Sequence, residues 1–170
     1  MKTVRTISRV LVMFTRVASL GYLLSFILSG VALGTGWSLK LTTGGTRFEI
    51  MYPFTSSAYL LGEYNRGYII AFLFLLGLYS LFFFLVSNVF KAFTKSRLFT
   101  VYGIKQLQWF YGANIILPFL TALIISRFYE IDNIAETLVI LHVLLGVFTY
   151  FMAAIFEQGV RLQNEQDLII

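Results

Sequence analysis

Four long apolar stretches, at 17–34, 67–90, 110–126 and 137–156, contain no Lys, Arg, Asp or Glu. A helix of about 18 residues rises roughly 27 Å, close to the roughly 30 Å hydrocarbon core of a bilayer. Backbone polar groups inside lipid have no water to bond, so uninterrupted runs of this length must be helical. With 58% hydrophobic and 12% charged residues, the chain also has too little polar surface for a water-soluble fold. The sequence therefore predicts an all-α membrane protein, residues 1–170 forming a single domain with four transmembrane helices.

The charged residues orient those helices. Lys2, Arg5, Arg9 and Arg16 precede the first stretch, Lys91, Lys95, Arg97 and Lys105 lie between the second and third, and Arg161 follows the fourth. The opposite side holds fewer cations, Lys40, Arg47, Arg66 and Arg127, together with Glu49, Glu63, Glu130, Asp132 and Glu136. The positive-inside rule puts the basic side, and with it both termini, in the cytoplasm.

The external segment after the first stretch carries a period-two pattern. Trp37, Leu39 and Leu41 alternate with polar residues, Gly44-Gly45 supplies a turn, and Phe48, Ile50 and Tyr52 alternate again. This predicts an extracytoplasmic β-hairpin that covers the outer mouth of the helix bundle. Tyr52, Tyr59, Tyr64 and Tyr68 suit the headgroup layer. On the first helix, Gly21, Ser25 and Ser29 form a small face for close helix packing, and Pro118 bends the third helix.

Two pieces remain on the cytoplasmic side. The elbow at 91–109 combines Lys91, Lys95 and Arg97 with the apolar teeth Phe90, Phe93, Leu98 and Phe99, a pattern suited to anionic headgroups. Thr100 is the expected N-cap of the helix that enters the third span. The tail at 157–170 continues the fourth helix, and its Glu157, Glu165 and Asp167 face the basic elbow as partners in a clamp. Exposed ion pairs contribute about 0–1 kcal/mol each, so a modest ligand would suffice to move such a clamp.

Little catalytic chemistry is legible. No ionised side chain interrupts the spans, whereas ion pumps and proton-coupled transporters retain them for use. His142, about one and a half turns into the fourth stretch, and Asn114 in the third are the intramembrane polar residues of interest. With one His and no Cys, a metal centre lacks ligands, so His142 is expected to be a neutral, hydrogen-bonded interior residue. No nucleophile set or phosphate loop can be assembled, which predicts neither an enzyme nor a cofactor. The cytoplasmic pieces are too small for a DNA-binding domain of their own, so no direct contact with nucleic acid is expected.

Two passages carry a family resemblance. Leu98-Phe99-Thr100 ahead of the third span, and Ile155-Phe156-Glu157-Gln158-Gly159-Val160-Arg161-Leu162-Gln163-Asn164-Glu165-Gln166-Asp167-Leu168-Ile169 at the end, resemble the bacterial membrane proteins of the domain of unknown function 2975 family. That family commonly has an Asn a few residues after the Phe-Thr pair, where this chain has Val101-Tyr102-Gly103. The resemblance implies a regulatory or sensor protein of the bacterial inner membrane that holds or releases a short helix-turn-helix regulator. Arg97, Leu98, Phe99, Thr100, Gly159, Leu162, Gln163, Glu165, Asp167 and Leu168 would form its partner surface, and Leu168-Ile169-Ile170 could add as a strand to a partner's sheet. The alternatives are a small transporter, channel or exporter subunit for a neutral or apolar solute, assembled as a homo-oligomer, or an immunity protein that occupies a membrane target.

Overall fold

The computed structural model describes residues 2–130 and 133–167, apart from the side chain of Ile134. It contains four helices long and apolar enough to cross a membrane: α1 (Lys2–Thr35), α2 (Arg66–Ala92), α3 (Val101–Ile125) and α4 (Asn133–Asp167). A small sheet lies between α1 and α2 in sequence. This is a multi-pass membrane protein. At 1.5 Å per residue α1 and α4, of 34 and 35 residues, are about 50 Å long and overrun a hydrocarbon core of roughly 30 Å. The overrun of both helices falls at the basic end of the molecule.

The ends of α2 and α3 have local causes. Asn65 Oδ1 accepts from the Tyr68 amide at 2.8 Å and caps α2, and Thr100 Oγ1 accepts from the Gly103 amide at 3.0 Å and caps α3, as expected. Between α2 and α3 the elbow narrows to a tight turn, in which the amides of Phe93, Thr94 and Lys95 bond carbonyls three residues back.

The expected hairpin is part of a larger element. Strands β1 (Leu39–Thr42), β2 (Arg47–Met51) and β3 (Ala58–Glu63) form an antiparallel sheet of three strands in sequence order. Gly44 and Gly45 make the first turn at φ of 65° and 89°, a conformation that side chains with a Cβ rarely adopt. β3 escapes sequence reading because Leu60 and Leu61 are adjacent and Gly62 follows, which breaks the alternation. The register pairs Phe48 with Gly62, and the Phe48 ring fills the space a side chain at Gly62 would take. Phe48, Ile50 and Ala32 are fully buried, surrounded by Leu28 and Leu33 of α1 and Tyr68, Ile69 and Phe72 of α2. The sheet therefore rides on the α1–α2 pair rather than covering the outer mouth of all four helices. Two of the tyrosines have partners within the chain: the Tyr59 hydroxyl meets Ser25 Oγ at 2.5 Å, and Tyr68 packs on Phe48, Phe72 and Tyr129.

The helices pack in series. α1 lies along α2, α2 along α3 and α3 along α4, with no comparable packing of α1 on α3 or α4 among the described residues. The α1–α2 seam is small and polar. Ser19 and Ser80 exchange hydroxyl-to-carbonyl bonds of 2.9 and 3.1 Å, and Arg16 Nε donates to Ser87 Oγ at 3.2 Å. Ser8, Thr15, Ser25, Ser29 and Ala32 of α1 are buried, in the close approach that small residues allow. Gly21, expected on the same face as Ser25 and Ser29, is exposed instead.

Candidate functional site

At the basic end the elbow is gripped from both sides. From α1, Arg5 Nη2 donates to the Ser96 carbonyl at 3.0 Å. From the far end of α4, Asp167 Oδ2 accepts from Arg97 Nη1 at 3.1 Å. The α1 contact was not legible in the sequence, because a cation near a chain start gives no sign of which carbonyl it will meet. The Arg97–Asp167 pair keeps 66% and 56% of its side-chain surface exposed, so its contribution is about 0–1 kcal/mol.

Apolar docking beneath the ion pair is the stronger fastening. The Phe156 ring stands edge-on to Phe99 at 5.2 Å and to Phe93 at 5.5 Å between centroids. Such pairs add about 0.5–1.5 kcal/mol each beyond the area they bury. Phe156 and Leu107 are almost fully buried, and Leu98, Ile104 and Val89 pack against them. Gly159 makes the slot: a Cβ built there would overlap Cγ and both Cδ atoms of Phe99. Gly103 allows a close approach of Phe156, whose ring lies 3.2 Å from the position of an added Cβ, a tight contact and not an overlap. The teeth Phe93, Leu98 and Phe99 thus point into the α3–α4 contact instead of along headgroups. Lys95 lies over the Tyr102 ring at 5.6 Å.

The expected partner residues divide accordingly. Leu98, Phe99, Thr100 and Gly159 are engaged within the chain, while Leu162, Glu165, Arg97 and Asp167 are exposed and Gln163 is half-buried. Leu168 and the Leu168-Ile169-Ile170 strand lie outside the described residues.

Deeper in the molecule, Asn114 and His142 line one small cavity. Asn114 is 3% exposed; its Nδ2 donates to the Phe110 carbonyl at 2.8 Å, and its Oδ1 has no partner among the described residues. His142 Nδ1 sits 2.8 Å from the Leu138 carbonyl, and its buried Nε2 likewise has none. An unmatched buried acceptor costs about 1–3 kcal/mol. Among the described residues no group of His, Cys, Asp and Glu side chains converges as a metal site.

The elbow and the α4 extension, now seen as the two halves of one contact, are also the passages that carried the family resemblance. The family model described as protein of unknown function (DUF2975) matches residues 15–170. The chain belongs to the DUF2975 family. No curated protein and no solved structure matches it. For this DUF2975 protein the Phe and Gly of the terminal motif have a physical role: Phe156 anchors the elbow, and Gly159 admits Phe99.

Proposed function

We propose that this is a non-enzymatic regulatory protein of the bacterial cytoplasmic membrane, with its basic end and both termini in the cytoplasm, that controls a small helix-turn-helix regulator. The observation that carries the reading is the double grip on the elbow, Arg5 to Ser96 and Arg97 to Asp167, built over the Phe99–Gly159 dock. Three separate parts of the chain converge there, and the outermost bonds are weak enough for a partner to compete with them. The excess of Lys and Arg at that end supports the orientation. Leu162, Glu165, Arg97 and Asp167 form the outward face that meets the partner.

Co-purification tests this. A short helix-turn-helix protein should be recovered with the membrane protein, and Glu165→Lys with Asp167→Lys should reduce that recovery several-fold while membrane insertion is unchanged. Equal recovery with the charges reversed would remove the surface from consideration. A second reading, a small transporter or channel subunit for a neutral or apolar solute, draws on the cavities between α2, α3 and α4. Solute flux in liposomes carrying the purified protein would favour it.

A further inference from the structure

We infer that the cleft between α2 and α4, floored by α3, is a binding site for a small, neutral, apolar molecule with a hydroxyl head, which enters from the sheet end and donates its one proton to His142 Nε2, beside Asn114. Three cavities form the cleft. The outermost, about 200 Å³, lies at Tyr68, Tyr129 and Glu130; the middle one, about 80 Å³, is walled almost entirely by hydrocarbon; the innermost, about 10 Å³, ends at Asn114. Neighbouring cavities share walls, Leu75, Ile125 and Ala135 for the first pair and Leu78, Pro118 and His142 for the second. Because the sheet rides on α1 and α2, it leaves the outer mouth uncovered.

The inner end specifies the chemistry of the head group. A carbonyl only accepts, so the bond to Leu138 puts the proton of neutral His142 on Nδ1 and leaves a lone pair on Nε2. The bond to Phe110 likewise orients the Asn114 amide with Oδ1 free. Pro118, which walls both inner cavities, lacks the N–H that would otherwise bond the Asn114 main-chain carbonyl. The site therefore presents acceptors and asks for a donor. Among the described residues no carboxylate lines the two inner cavities, so an ammonium head would be buried without a counter-ion. A hydroxyl donates without charge, and the innermost cavity has room for about one oxygen atom. By helix rise His142 lies about 14 Å, and Asn114 about 17 Å, from the sheet-side ends of their helices, a depth that a slender molecule of about twelve carbons, a phenol ring with a six-carbon tail, roughly spans.

The test uses the full-length protein in nanodiscs with 4-hexylphenol, 4-hexylanisole, which has the same shape without the donor, and empty nanodiscs to subtract partition into lipid. The phenol should bind saturably, about one per chain, and at least tenfold more tightly than the methyl ether. His142→Phe should reduce that preference to threefold or less, and Ala122→Phe, which fills the middle cavity and touches no acceptor, should abolish saturable binding of both. Equal affinity for phenol and ether, a preference that survives His142→Phe, or no saturable binding, as when the acceptors hold an ordered water only, would overturn the assignment. Recovery of a helix-turn-helix partner is a separate measurement, so either reading can fail alone.

Discussion

Replacing Gly159 by Val puts a branched side chain where the root of the Phe99 ring lies, and the ring cannot swing clear without leaving its slot. The overpacking should cost about 1–3 kcal/mol locally, against about 0–1 kcal/mol for Arg97→Ala. Limited trypsin digestion at Lys95 and Arg97 from the basic side distinguishes the two: Gly159→Val should accelerate cleavage at Lys95 several-fold, and Arg97→Ala should leave it nearly unchanged. Equal effects would make the ion pair, and not the aromatic dock, the fastening. The residues of this dock stand out in the sequence as a motif, yet their use does not. A Phe before a Thr and a Gly in a helix read equally well as a surface or as an interlock, and only the folded chain seats Phe99 on Gly159.

The sheet and the α1–α2 seam are the elements whose form was only partly legible. Alternation at Leu39 and Leu41 and at Phe48 and Ile50 marks two strands, whereas β3 is recruited by backbone pairing with β2 and by the Phe48 ring over Gly62. Phe48→Ala removes the ring at the centre of that cluster and should destabilise the sheet by about 3–5 kcal/mol. Faster amide exchange across β2 and β3, with exchange in α3 unaffected, is the expected result. In the seam, Ser80→Leu forces a large side chain against Ser19 and removes the bond that Ser80 Oγ donates, whereas the Ser19 hydroxyl bonds the Ser80 main-chain carbonyl, which remains. Since intramembrane hydrogen bonds average only about 0.6 kcal/mol, most of the loss should come from sterics. Ser80→Ala should therefore be well tolerated and Ser80→Leu should not, judged by thermal aggregation in detergent.

For the molecule taken entire, serial packing is the decisive feature. Because α1 touches α2 and the sheet but does not lie along α4, the helices do not close on themselves, and a cleft remains above the point where Tyr79 and Phe82 of α2 meet the His142 ring of α4. Disulfide mapping reads this directly, as the chain has no native cysteine. Ile115→Cys with Gly146→Cys should crosslink readily, since a Cβ at Gly146 comes within 2.6 Å of an Ile115 side-chain carbon. Ser25→Cys with Val143→Cys, across α1 and α4, should not crosslink within one chain. The reverse pattern would indicate a closed bundle.

The four spans follow from composition alone, because a bilayer accepts only backbone that satisfies itself, and an uncharged apolar run of this length has no other conformation available. The cap at Thr100 was equally local, needing just one side chain and an amide three residues on. What required the folded chain was every contact between distant segments: the third strand, the serial order of the helices, the hold of Arg5 on Ser96, and the meeting of Asn114 and His142 in one cavity. Hydropathy says which residues leave water. It does not say which neighbours they find, because lipid and protein interior are nearly equal solvents for an apolar side chain, and the choice falls to shape, small residues and a few directional bonds.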